Sequence, residues 1–457
     1  MGKIKVTAVF DIGKTNKKFF LFDAKFQEVY REYIHFEEIN DEDGFPTENL
    51  PALEHWLKEL FDRILSAETY DIKAINFSTY GASFVHLDKE GNVLNHLYNY
   101  LKPIPKEVNE EFHSTYPSVP SETGSPKSGM LNSGMQLYWL KKSKPDIFKK
   151  IKYSLHFPQY ISYLFTGIPL SEYTSIGCHT ALWNYEKNDY HDWVYAEKIN
   201  EKFPAIVSTQ TSINMIYNQK WIKIGVGVHD SSSALLPYFF GESKPFLLLS
   251  TGTWSIALNP FNDEKLNDRD IADDCLNYMR IDGTRIKATR FFMGNEYKIQ
   301  VKKIGEHFGE KYGYHKTVKF DLSIYLKLIK VPSIYFKFEG IRLKRKQLQK
   351  TNLEPFITFE EAYHQLIIEL MELQVKMIKT AIGDTAVKKI YIDGGFTDND
   401  IFVKLMGLHF KKFTIRTTAS PLGSALGAAM VISNKKLNKK FLKENYKMNK
   451  LIPLKLA

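Results

Sequence analysis

Cysteine is almost absent from this chain. Cys178 and Cys275 are the whole complement in 457 residues, too few for a disulfide framework or a cysteine-built zinc site. No stretch of 18 apolar residues occurs, so neither a membrane-spanning helix nor a membrane partner is expected. Met1-Gly2-Lys3 runs straight into an apolar strand, leaving no room for a signal peptide, and the protein is expected to be cytoplasmic. Several nucleotide and catalytic signatures are missing too. Gly13-Lys14-Thr15 ends like a P-loop, but Ala8 stands where that motif requires its first glycine. No Gly-x-Gly-x-x-Gly opens a helix after a strand, which leaves a dinucleotide fold unsupported. Neither a serine nucleophile elbow nor a paired-histidine metal motif is present.

Acidic residues are in deficit, and the net charge is +10. The excess is local. Residues 434–457 hold eight lysines against the single Glu444, and Arg342-Leu343-Lys344-Arg345-Lys346 forms a second short patch. Both offer little interleaving of basic residues with aromatic or groove-reading partners, so both are expected to be solvated and no nucleic-acid partner is expected. The remaining composition, 44% hydrophobic and 25% charged, is that of an ordinary globular protein, and 457 residues favour two domains over one core.

What is present is an α/β pattern with one local duplication. Val6–Asp11 and Lys17–Asp23 read as a hairpin around Gly13-Lys14-Thr15-Asn16, and Phe246–Leu258 repeats the shape around Ser250-Thr251-Gly252-Thr253. Gly13 and Gly252 lie about half a chain apart, which suggests two related halves. A turn of small polar residues offers backbone N–H groups and hydroxyls to an anion, so two opposed turns would grip a polyphosphate from both sides. Apolar spacing predicts helices over Leu53–Ala67, Met135–Lys142 and Gln159–Leu164, and a long one after Thr358-Phe359-Glu360-Glu361 that ends near Gly383. Lys73–Ser78, Phe84–Asp88 and Lys389–Asp393 read as strands, Ser114–Ser133 as a loop, and Gly225–Asp230 as a strand followed by a loop over Ser231-Ser232-Ser233 and then a helix. Pro237 and Gly241-Glu242-Ser243-Lys244-Pro245 punctuate the chain at the expected domain boundary.

Four motifs remain: Asp11-x-Gly13-x-Thr15, Gly227-Val228-His229-Asp230, Ser250-Thr251-Gly252-Thr253 and Ile392-Asp393-Gly394-Gly395-Phe396-Thr397-Asp398-Asn399. Together, in this order, they resemble the FGGY family of carbohydrate kinases over residues 6 to 433. The resemblance implies two actin-like, ribonuclease-H-like domains facing across a central cleft. Residues 1–240 would hold the sugar and the catalytic base, 241–433 the ATP, and 434–457 would be a lysine-rich tail. It further implies ATP and Mg²⁺ as cofactors and a small-molecule sugar as substrate, with a homodimer left open. Asp230 matches the base that takes the sugar hydroxyl proton, and Asp11 the carboxylate that helps hold Mg²⁺, commonly through water. Gly13, Lys14, Thr15 and Asn16 match the first phosphate turn, and Thr251, Gly252 and Thr253 the second. Gly394 and Gly395 would let backbone approach the nucleotide, and Asn399 matches a position reaching the adenine. From the residues alone, Asp230 could be only a helix cap, Asp11 could be a turn residue, and Lys14 and Lys17 could meet phosphate or solvent. Cys178-His179 lacks the further ligands a metal site needs.

Within the family the chain looks most like the rhamnulokinase branch, on Gly227-Val228-His229-Asp230-Ser231-Ser232-Ser233-Ala234, Tyr80-Gly81-Ala82-Ser83-Phe84-Val85-His86-Leu87-Asp88 and Met293-Gly294-Asn295-Glu296. Gly81, Ala82, Ser83 and His229 are the matching sugar-contacting positions. Ser83 departs from the aspartate of that branch, which leaves the sugar open. A 6-deoxy ketose, L-rhamnulose or L-fuculose, is favoured over xylulose, ribulose or glycerol, whose characteristic runs are absent at 78–83. Tyr80 and Phe84 could wall the sugar methyl or be sheet core. A non-catalytic sugar or nucleotide sensor of the same fold is opposed by the intact Asp11 and Asp230.

Overall fold

The computed structural model describes residues 2–341, 348–418, 422–433, 441–446 and 448–451. The basic patch at 342–346 and most of the lysine-rich tail lie outside these residues.

Two seven-stranded sheets of matching topology make up the chain. In the first, Ile4–Ile12 pairs antiparallel with Lys17–Asp23, which pairs antiparallel with Glu28–Ile34. On its other side Ile4–Ile12 runs parallel to Tyr70–Thr79, which in turn runs parallel to Lys220–Gly225 and Val228–His229. The second sheet repeats the plan. Leu247–Thr251 pairs antiparallel with Ser255–Asn259, and that strand with Arg285–Phe291, while Lys389–Gly394 and Thr414–Thr418 follow in parallel on the other side. A hairpin-led sheet with parallel strands added beyond its first strand is the ribonuclease-H-like, actin-like plan, and the chain holds it twice.

Local sequence accounts for the supporting elements. Leu50–Ser66 is capped by Asn49, whose side chain accepts from Ala52 N–H, and buries Leu53, Trp56, Leu57, Leu60, Phe61, Ile64 and Leu65 against the first sheet. Phe359–Ile382 starts on Thr358, which accepts from Glu361 N–H, and stops at Gly383; its apolar stripe of Leu366, Leu370, Leu373 and Met377 fills the second core. Two expectations need correction. Ser231–Ser233 are helical, since the helix Asp230–Gly241 begins directly after Val228–His229; the Asp230 carboxylate sits in its first turn and accepts from Ser231 N–H. The stretch 114–133 is not all loop: Pro120 near its N-terminus presets the short helix Val119–Glu122, and a 3₁₀ turn spans Gly129–Leu131.

The halves meet through small residues. Helix Gly423–Val431 crosses helix Asp230–Gly241, Ser233 Oγ donates to Ser424 O at 2.6 Å, and Asn76 Nδ2 of the first sheet donates to Ala428 O at 2.8 Å. Strand Cys275–Met279, at the edge of the second sheet, also touches the first half, where Asn277 N–H donates to Gly124 O at 2.8 Å.

Candidate active site

Asp11 and Lys18 stand directly opposite each other across the first hairpin, on the face turned toward the second half. Strand alternation decides this. Lys17 pairs with Ile12 and points the other way, into the first core, where its ammonium lies 2.8 Å from Glu48 with both side chains almost fully buried. There it also donates to the carbonyls of Gly13 and Lys14 and holds the Gly13–Asn16 turn from behind. Lys14 pairs with Glu38 at 2.6 Å. Lys18, which sequence reasoning passed over, shares the face of Asp11. Pairing the strands symmetrically about the Gly13–Asn16 turn would have found it.

Three carboxylates converge near Lys18. Asp11 is buried, 3.5 Å from the Lys18 ammonium and accepting from Ser424 Oγ at 2.8 Å. Burial raises its pKa, and the neighbouring charge of Asp230 adds to that, while Lys18 pulls it down. Asp230 accepts from the backbone and hydroxyl of Ser231. Its side chain is 34% exposed, and desolvation by the surrounding protein pushes its pKa up to about 6. Asp393, from the second half, is raised by burial to about 7, with Tyr238 OH 3.5 Å away. Lys18 acts electrostatically on all three. Asp393 lies inside a motif read for its glycines, and Ser424 carries no local signal at all.

His229 is buried beside Asp230, with Nε2 3.2 Å from Asp230 Oδ1 and 3.3 Å from Cys178 Sγ. Burial lowers its pKa to about 4, so the ring is neutral near pH 7 and orients rather than carries charge. Its face stacks on Tyr278 of the second half, and Nδ1 is buried with no partner among the described residues. Gly81 fits against the same ring; a Cβ there would sit 2.8 Å from two ring atoms. Ala82 is held at φ 58° with its carbonyl accepting from Gln136, and the buried Ser83 hydroxyl has no partner among the described residues. The Gly81–Ser83 loop and His229 thus form one polar wall. Phe84 is fully buried in core, its ring 4.1 Å from that of His156, and Tyr80 is almost fully buried with its hydroxyl 3.3 Å from Glu48.

The remaining residues frame the cleft. Gly13 N–H closes the first turn on Asn16 O at 3.0 Å, and Thr15 and Asn16 are exposed at its tip. In the second turn Gly252 and Thr253 are exposed, but Thr251 is a brace: its hydroxyl donates to Asp393 O at 2.6 Å and accepts from Phe396 N–H. Gly394 lies at φ 92°, where a Cβ would fall 1.8 Å from Thr251 O, so only glycine fits; Gly395 faces open space. Asn399 caps the helix Asp400–His409 through Phe402 N–H and donates its amide to Tyr363 OH at 2.8 Å. Both ends of that side chain are thereby engaged within the protein.

Two ribonuclease-H-like lobes with carboxylates gathered between paired glycine turns define the actin-like sugar-kinase class. The model of the N-terminal domain of the FGGY family of carbohydrate kinases matches residues 6–236. The chain belongs to the FGGY family of carbohydrate kinases. It is 29% identical over 195 residues to the rhamnulokinase of Halalkalibacterium halodurans, a match covering 40% of this chain and 41% of that relative. The chain therefore spans under half the length of that curated relative. Among solved structures, a carbohydrate kinase from Novosphingobium aromaticivorans superposes with TM-score 0.80 at 21% identity, over 99% of this chain and 95% of the other. A ligand-bound xylulose kinase from Lactobacillus acidophilus gives 0.77 at 18% identity, over 97% and 90%. At such identities these two likenesses concern the fold.

Proposed function

We propose that this protein is an ATP-dependent sugar kinase that transfers the γ-phosphoryl group to a hydroxyl of a ketose. The observation that carries the reading is Asp230, whose carboxylate lies 3.2 Å from His229 Nε2, accepts from Ser231 N–H and sits near Asp11 and Lys18, with burial lifting its pKa to about 6. A base with that pKa is ionised at neutral pH and still basic enough to take a hydroxyl proton as the oxygen attacks phosphorus. The neutral His229 ring holds one side of the Asp230 carboxylate, and Ser231 holds it from the helix. The exposed backbone around Gly13–Asn16 and Gly252–Thr253 supplies N–H groups for phosphate oxygens, and Lys18 supplies a cation for the charge passing between nucleotide and sugar.

Mg²⁺ fits this arrangement. Asp11 is a buried carboxylate whose pKa burial raises even with the Lys18 ammonium 3.5 Å away, so a cation there would be welcome. Among the described residues no three His, Cys, Asp or Glu side chains form a ligand set. Asp11 would therefore hold the ion with water and phosphate oxygens completing its shell. When bound, the ion neutralises charge on the transferred group. Closure of the halves would keep water from competing with the sugar hydroxyl.

For the sugar we infer a 6-deoxy ketose, L-rhamnulose or L-fuculose, from the 81–85 and 229–234 runs and the rhamnulokinase relative. Ser83 favours a second reading, another ketose such as xylulose, because its buried hydroxyl has no protein partner among the described residues and would suit a hydroxylated substrate. ADP release across L-rhamnulose, L-fuculose, D-xylulose, D-ribulose and glycerol tests both. The 6-deoxy sugars should give the highest kcat/KM, and a clear lead for D-xylulose would transfer the assignment to the second reading.

A further inference from the structure

A groove of about 570 Å³ opens at the end of the second sheet remote from the catalytic cleft. Strand Lys389–Gly394 links the two places, with Lys389 lining the groove and Gly394 facing Thr251. At ~3.3 Å per residue they lie roughly 17 Å apart.

The groove is lined by Lys244, Lys388, Lys389, Arg416 and Lys450, with Glu242 as its lone acid among the described residues. That carboxylate is already held: Lys389 bonds it, and Tyr391 OH donates to it at 2.7 Å. Four cations are left with no acid of their own in the groove. Two of them are paired in register, since Arg416 stands directly opposite Lys450 across antiparallel strands. Like charges at opposed strand positions repel, and that placement is relieved when an anion lies between them.

We propose that this groove binds a small, multiply phosphorylated molecule, such as a nucleoside diphosphate or a sugar bisphosphate. Four cations exceed what one phosphate neutralises, and Arg416 offers the planar fork that takes two phosphate oxygens together. The volume is that of a small-molecule cavity rather than of a flat stripe tracking a nucleic-acid backbone.

Calorimetric titration of the full chain with inorganic tripolyphosphate tests this, using Lys244→Gln/Arg416→Gln and, separately, Lys450→Gln. Circular dichroism reports folding, and all three side chains lie at the surface or half-buried. The double variant should bind at least tenfold more weakly and Lys450→Gln should weaken binding in the same direction, whereas Lys18→Gln, which alters only the cleft, should keep the groove event. Inorganic phosphate should bind at least tenfold more weakly than tripolyphosphate. Unchanged affinity in both folded groove variants, or loss on Lys18→Gln alone, overturns the site. Equal affinity for monophosphate overturns the ligand class. Displacement of tripolyphosphate by a single-stranded oligonucleotide at equal phosphate concentration overturns it in favour of nucleic acid.

Discussion

Replacing Asp230 by Asn keeps the shape of the side chain and removes its basicity. Loss of a positioned general base lowers kcat by on the order of 10²–10⁴-fold, with ATP affinity nearly unchanged. The same substitution should stabilise the fold, a result a merely structural aspartate would not give. Desolvation moves Asp230 from 3.8 to about 6, which corresponds to about 3 kcal/mol against the charged form. The side chain is 34% exposed, and solvent screening reduces this to on the order of 1 kcal/mol. The sign follows from linkage. A carboxyl whose folded pKa is raised contributes its stability below the unfolded value near 4 and loses it as pH rises through 6. The variant should therefore melt with the parent at pH 4 and above it at pH 8. Coupled ADP release measures the first effect and calorimetric melting at the two pH values the second. Parental turnover, or a lower melting temperature at pH 8, would refute the reasoning.

Wild-type kcat/KM should fall with unit slope as pH drops below about 6, since protonated Asp230 is no base; a flat profile from pH 7 to 5 would contradict this. Lys18→Gln should cut kcat/KM for ATP by about tenfold to a hundredfold at an unchanged fold, and parental kinetics would remove Lys18 from the phosphate path. Lys17→Met should cost about 3–5 kcal/mol in urea unfolding, because it leaves the Glu48 carboxylate buried and unpaired; a loss below about 1 kcal/mol would show that water reaches Glu48. Gly394→Ala should abolish activity and lower the melting temperature, since its Cβ would meet Thr251 O; a functional, stable variant would show that the turn can shift.

Much of this architecture was legible from local patterns. Both hairpins, the Leu50–Ser66 helix and the long helix after Thr358 follow from apolar period and capping residues that act over a few positions. The duplicated sheet plan was only hinted at, because it rests on pairings such as Leu247–Thr251 with Lys389–Gly394, more than a hundred residues apart. At the site, Asp11, His229 and Asp230 stand in recognisable motifs, and the fold brings His229 within 3.2 Å of Asp230, whose charge also acts on Asp11. Lys18 was passed over because a one-residue step along a strand reverses the face, and only the hairpin register says which lysine shares the face of Asp11. Thr251 and Asn399 read as ligand contacts, and their structural work as a brace and a helix cap carries no local signal of its own. Ser424 reaches Asp11 across the whole chain, and no local pattern announces such a contact.

The central claim is phosphoryl transfer to a ketose with Asp230 as base. Its most direct measurement is ³¹P NMR of the purified chain with ATP, Mg²⁺ and L-rhamnulose, run beside Asp230→Asn. A sugar phosphomonoester resonance should grow in step with ADP for the parent, with almost none for the variant. Formation of ADP and inorganic phosphate without a sugar phosphate across the whole ketose panel, or equal sugar phosphate from both proteins, would contradict it.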